Sequence, residues 1–381
     1  MALAALAALV PMATIVVAFV PAEQWFDKAV PSTDDPAVLT DVPAPYAIVP
    51  ASAQAVDDRI SFGELEGVAQ VDEDRRGDLL FVTVSEPPQS LLSAWAGSGQ
   101  PDFTPLTHEE KYGGATPAQQ QSVSIQMMRT AEQVAQFVAL RAVGFADAEL
   151  VPGEVVVEQV LCLEDDGQRC TRFAPADEAL DPGDKLLRAD GIELDTVDDL
   201  STALADNEPG DTVSLDIERA GEPAPRTVEV ELIDAPDGSG RTIVGFYPFD
   251  TATVSLPFEL DIDTGSIGGP SAGLAFTLTL IDELSAGDLT GGADVAVTGS
   301  IGVEGQVGAI GGLAQKVSAV RQLGIDTFLV PASQSEASLE AAREVAGDDV
   351  ELVLVATLDE ALTALRERGG DVVEPYPANQ G

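Results

Sequence analysis

The stretch Gly268-Gly269-Pro270-Ser271-Ala272-Gly273 reads as G-x-S-x-G, a turn that presents a serine hydroxyl in many hydrolases. A serine hydroxyl is a weak nucleophile at neutral pH and needs an adjacent base. The one histidine, His108, lies far upstream, whereas the α/β-hydrolase order is Ser, Asp or Glu, then His. Lysine is the next base to consider, and Lys28, Lys111, Lys185 and Lys316 are the only four. The first three fall beside an apolar segment, in a polar loop and at a turn-to-strand junction, settings that keep an ammonium solvated. Lys316 differs: Leu313, Val317 and Val320 form an apolar stripe at i, i+4 and i+7, and Lys316 takes position i+3 of it. Buried there, its amine would lose its proton readily and serve Ser271 as general base. Position alone leaves a second reading open, in which the stem covers apolar surface and the ammonium reaches water.

The elements that would carry these residues alternate. "SAGLAFTLTLIDEL" reads as an apolar helix, "ADVAVTGSI", "DTFLVP" and "VELVLV" as buried strands, and "GGLAQKVSAVRQLG" and "TLDEALTAL" as helices, an α/β arrangement without internal repeats. Upstream, Gly77 to Glu86 is a β-branched strand. Thr116-Pro117 is a cap with proline at the first helical position, opening a helix that runs to about Gly144.

From about Pro152 to Ile233 the texture changes to short strands and turns. "LDPGDKLLRADGIEL", a helix, and "PGDTVSLDIER" resemble a PDZ domain over about eighty residues. The resemblance implies capture of an extended peptide along a sheet edge, its carboxylate held by backbone N–H groups, with Gly153 and Val155 in the peptide-binding loop. Cys162 and Cys170 flank an Asp166-Gly167 hairpin signal. They are expected to face each other across paired strands, as a disulfide in an exported protein or as two free thiols otherwise. With a single distant histidine they do not make a metal site.

The segment from "GGPSAGLAF" to "GGLAQKVSAV" resembles the proteolytic domain of Lon-type proteases over residues 261 to 365, with P-S-A-G, a T-G after a strand and G-G-x-x-x-K in order. This implies Ser271 as nucleophile, Lys316 as general base, Thr298 as the residue positioning the amine, and oxyanion donors near Gly269 and Ser271. ATP-dependent Lon enzymes commonly carry an acidic residue three before the serine, where this chain has Gly268. No G-x-x-x-x-G-K-[ST] loop occurs in the sequence, so the expected activity is ATP-independent and needs no cofactor or metal.

Nineteen basic against 65 acidic side chains give a net charge of −46, which repels nucleic-acid phosphates, while 45% hydrophobic residues favour a globular chain. The first twenty residues, "MALAALAALVPMATIVVAFV", carry no charge and are long enough to span a bilayer, as an anchor or an export signal. The whole chain resembles the membrane-anchored PDZ–Lon subfamily of bacterial exported proteases. The expected organisation is an α/β (α+β) Lon-type proteolytic domain with an inserted β-rich PDZ-like domain and an N-terminal transmembrane helix. Its parts are a membrane segment over 1–22, an extended stalk over 23–56 and the first part of the protease domain over 57–147. The PDZ-like domain over 148–235, the catalytic part over 236–368 and a tail over 369–381 follow. Protein or peptide substrates, extracytoplasmic placement and, by resemblance, a homohexamer are implied. The rival readings are a catalytically silent, membrane-tethered peptide-binding scaffold and a hydrolase that uses His108.

Overall fold

The computed structural model describes residues 19–31, 39–63, 77–165, 170–256 and 258–375. Among these no helix is long and apolar enough to cross a membrane. The membrane segment expected over 1–22 lies almost entirely outside the described residues, as do the Asp166-Gly167 turn and the end of the tail.

In chain order, β1 (Asp27–Pro31) pairs antiparallel with β2 (Leu39–Pro43), and β3 (Tyr46–Ala55) follows. Next come β4 (Leu79–Ser85), α1 (Leu91–Gly97), β5 (Thr104–Leu106), α2 (His108–Tyr112) and the long α3 (Pro117–Ala142). Thr116 caps α3 with Pro117 in its first turn: its hydroxyl accepts from the Gln119 amide while the Gln119 side chain accepts from the Thr116 amide, as the sequence signal requires. The stalk expected over 23–56 is corrected here. Its residues form β1, β2 and β3, and β3 is an integral strand of the main sheet, because Val42, Ala44 and Ala47 find buried places that no local periodicity announced.

A second body follows α3. It comprises β6 (Glu149–Val160), β7 (Cys162–Asp165), β8 (Cys170–Phe173), β9 (Lys185–Ala189), α4 (Val197–Ala203), β10 (Thr212–Glu218) and β11 (Arg226–Glu231), and it closes with β12 (Phe246–Ser255). Its sheet runs β11-β10-β9-β6-β12, with β12 at the edge. Val155, Val157, Leu186, Leu215 and Ile217 fill its core beneath Leu200 and Leu204 of α4. Cys162 and Cys170 form a disulfide with Cα atoms 5.8 Å apart. The strands β6 and β12 pair from Phe246↔Val160 down to Ser255↔Glu149, so one continuous ribbon joins this body to α3, where the Val254 amide donates to Gln133 Oε1 at 2.8 Å.

The chain then returns to the first body through β13 (Leu260–Ile262), α5 (Gly273–Glu283), β14 (Val295–Val297), α6 (Leu313–Leu323), β15 (Thr327–Pro331), α7 (Glu336–Ala346), β16 (Glu351–Val355) and α8 (Leu358–Glu367). The main sheet has the order β16-β15-β14-β4-β3-β5, parallel from β16 to β4 and antiparallel at β3 and β5. Strand alternation divides its side chains between two helical layers. Leu79, Phe81, Val297 and Leu329 join α3, α5 and α8 on one face. Val82, Ala296, Phe328 and Val330 join α6 and α7 on the other.

Candidate active site

Ser271 and Lys316 come from opposite helical layers and meet at the carboxyl end of β14, the central strand. Ser271 sits two residues before α5, its carbonyl accepting from the Gly299 amide at 2.9 Å and from Thr298 Oγ1 at 3.2 Å. The Leu274 amide donates to the Gly299 carbonyl in return, at 3.0 Å, so the serine turn is stitched to the residues that follow β14. On the other face, Gly312 opens α6 with a left-handed φ of 67°, and a Cβ there would press on Val84 at 3.0 Å. That start sets the helix phase: Leu313, Val317 and Val320 are buried, and Lys316 is carried inward with them at 2% exposure.

Lys316 Nζ lies 2.9 Å from Ser271 Oγ and 3.0 Å from Thr298 Oγ1, and Thr298 is fully buried. Burial alone pushes the Lys316 amine down, to about 7. The other three lysines contrast with it: Lys28 pairs with Glu110, Lys185 with Glu154 at 2.8 Å, and Lys111 lies over the rings of Tyr46 and Tyr112. His108 stacks with Tyr46 and Tyr112, and among the described residues it makes no hydrogen bond to Ser271. Ser271 and Lys316 open onto a cleft of about 590 Å³ lined by Ile48, Ala51, Val84, Ile267 and Ile310.

The serine loop lies along α3, a frame the sequence did not announce. The Gly269 amide donates to the Ser124 carbonyl at 2.8 Å, and Thr264 Oγ1 donates to Glu132 Oε1 at 2.5 Å. Gly269 therefore does not offer its N–H to an oxyanion in this conformation, which corrects that assignment. The Ser271 amide meets no protein acceptor among the described residues. A Cβ on Gly268 would stand 2.3 Å from Ser124 Oγ, so the loop cannot sit this close to α3 with an acidic side chain at that position. Glu132 is buried, and burial raises its carboxyl; Asp261 and Asp263 push the same way, while the Thr264 hydrogen bond and Arg129 oppose. Its spacing, four residues after buried Met128, was the available signal and is the same kind that singled out Lys316.

The peptide-binding loop assigned to Gly153 and Val155 is also corrected. Both lie inside β6; Val155 is fully buried and paired with Leu186 on one side and Asp250 on the other, because Pro152–Gly153 continues a strand rather than ending one. Gly153 lines a smaller cavity with Leu187 and Arg188, and a wider groove of this body lies between α4 and the first residues of β12. It is a cavity of about 930 Å³ lined by Leu200, Leu204, Val244, Phe246, Tyr247 and Arg241. Among the described residues, the outer edge of β12 carries no partner strand in its sheet.

Comparison with known proteins matches these two bodies separately. Residues 260–367 match the family model of the Lon protease (S16) C-terminal proteolytic domain, and residues 145–232 match that of the PDZ domain. Lon protease 1 of Sorangium cellulosum is 32% identical over 142 residues, covering 35% of this chain and 17% of that protein. Lon protease of Clostridioides difficile is 35% identical over 134 residues, 34% of this chain and 17% of that protein. Lon protease of Vibrio parahaemolyticus is 38% identical over 106 residues, 28% and 13% respectively. The chain thus spans under a fifth of the length of these relatives. The solved PDZ domain of an SdrC-like protein from Listeria monocytogenes matches 26% of this chain and 87% of its own, with 23% identity and a TM-score of 0.20. The chain accordingly carries two recognisable domains, a Lon protease C-terminal proteolytic domain and, preceding it in sequence, a PDZ domain.

Proposed function

We propose that this chain is an ATP-independent serine endopeptidase in which Lys316 activates Ser271. The observation that carries the reading is a fully buried amine, 2.9 Å from the serine oxygen, whose pKa burial lowers to about 7. A neutral amine has one lone pair and two N–H groups. Thr298 uses its own proton on the Ser271 carbonyl and accepts one Lys316 N–H, which turns the lone pair toward Ser271 Oγ. Lys316 takes the hydroxyl proton as Ser271 attacks a peptide carbonyl, and the resulting ammonium protonates the leaving amine. Water then releases the acyl group with the amine again acting as base. The free Ser271 amide, at the start of α5 where the helix dipole favours negative charge, is the oxyanion donor of this scheme.

The PDZ groove contributes recognition: an extended peptide adds to the free edge of β12, its apolar side chain between Leu200, Leu204 and Phe246. Flexible or unfolded protein segments are the substrate class, since a cleft of this kind admits only an extended chain. On this reading the uncharged N-terminal stretch anchors the enzyme, both domains lie on the extracytoplasmic side, where a Cys162–Cys170 disulfide persists, and subunits assemble as homohexamers.

A fluorophosphonate probe applied across a pH series tests this. Wild type is expected to label, the rate rising as pH passes through about 7, while Ser271→Ala and Lys316→Arg stay unlabelled, because a guanidinium remains charged. Absence of labelling at every pH would support the silent scaffold instead. Full activity of His108→Ala is expected, and its loss would revive the histidine-dependent reading.

A further inference from the structure

The chain contains two tryptophans, and both are exposed at one end of the fold: Trp25 is 68% exposed and Trp95 is 73% exposed. Phe19 beside them, at 84%, is the most exposed of the large apolar side chains among the described residues. Backbone contacts bring together the segments that carry these three. The Leu91 amide donates to the Val20 carbonyl at 2.8 Å, Ala22 donates to Gln89 at 2.9 Å, and Pro21 bridges Ser90, so residues 19–22 lie against the start of α1, the helix that carries Trp95. Phe26, next to Trp25, meets Phe103 edge-on at 6.3 Å, and Phe103 packs on Gly97 of the same helix. In sequence, the uncharged residues 1–18 precede this corner. An uncharged stretch of eighteen residues would, as a helix, reach about 27 Å, close to the roughly 30 Å hydrocarbon core.

We infer that the corner formed by Phe19, Trp25 and Trp95 rests in the headgroup region of a phospholipid bilayer, holding the protease domain against the membrane rather than on a free tether. The inference builds on the anchoring role given to residues 1–18 in the proposed function. Indole rings suit this boundary because they combine an apolar body with one N–H donor. Glu23 and Asp27 flank the aromatics and the whole chain carries −46, so the fit is to zwitterionic lipid; anionic headgroups repel it. Docking in this manner restricts the height of the catalytic cleft above the bilayer.

Because the only tryptophans lie in this corner, their emission reports on it alone. The full chain is mixed with phosphatidylcholine vesicles, its co-flotation is measured, and quenching by brominated acyl chains is read in wild type and in the single-tryptophan variants Trp25→Phe and Trp95→Phe. The expected result is co-flotation with a blue shift and loss of most emission in both variants, weakened when phosphatidylglycerol replaces much of the phosphatidylcholine. Co-flotation with unquenched Trp95 would overturn the docking while leaving the anchor intact. Failure to co-float would overturn both the anchor and the docking. A concentration-dependent blue shift before vesicles are added would mean that a second copy of the chain covers this face, and would equally overturn it.

Discussion

In the proposed mechanism Lys316 trades stability for reactivity as a single buried side chain. The unfolded chain holds this amine protonated up to about pH 10, whereas the folded chain loses the proton near 7. The sign follows: below 7 the fold bears the whole penalty of a buried charge, and as pH climbs from 7 toward 10 the penalty fades because the folded chain is neutral there while the unfolded chain still binds the proton. Lys316→Met keeps the volume and removes the charge. It is expected to abolish turnover yet raise the melting temperature at pH 6 by several degrees, with the advantage shrinking by pH 10. Calorimetry at the two pH values checks this, and an unchanged or lowered melting temperature at pH 6 would show that the amine reaches water. The glycine at 268 belongs to the same logic. A carboxylate near the amine would hold its proton on, and this chain has no room for one where Gly268 lies against Ser124.

At the scale of elements, α3 is the part that gives Ser271 its place. It is polar over much of its length, yet it buries Met128, Val138 and Leu140 against the core and offers Ser124 and Glu132 to the loop before Ser271. Two tethers eight residues apart on one helix fix the path of a loop that has no strand or helix of its own. Loosening one should therefore misplace Ser271 without unfolding the domain. Glu132→Ala and Thr264→Val are each expected to lower kcat by about 10- to 100-fold, with KM changed much less, since small misplacements of a nucleophile are costly. Glu132→Gln, which retains an acceptor, should restore most of the rate, and the double variant should be no worse than either single one. Steady-state kinetics on a peptide substrate, with melting curves as the folding control, decide it; equal losses for Glu132→Gln and Glu132→Ala would remove Glu132 from this role.

For the molecule as a whole, net charge and connectivity set the terms. A charge of −46 on 381 residues repels itself, and the repulsion is strongest where salt is low. Screening shortens its range to about 3 Å at 1 M salt, so the melting temperature should climb steadily from low salt to 1 M sodium chloride. A flat response would mean that self-repulsion among the surface carboxylates does not limit the stability of the fold. Connectivity matters in another way: β6 and β12 run unbroken from the peptide groove to α3, and Gln133, which holds β12, neighbours Glu132, which holds the serine loop. The two bodies are thus joined through paired strands.

What the sequence determined by itself were the features that depend on neighbours along the chain: the Thr116-Pro117 cap, the buried strands of the parallel sheet, and the inward phase of Lys316, all set by the periods of helix and strand. Whether that lysine would snorkel was not legible, because burial depends on what other layers of the fold place over it. The tertiary structure decided the rest for the same reason. Only packing brings Thr298, Ser124 and Glu132 to Ser271 from distant stretches, recruits β3 from a segment that looked like a tether, turns the Gly269 amide toward α3, and opens the cavity between α4 and β12. Those contacts join residues tens to hundreds of positions apart, and no local pattern encodes which of them will meet.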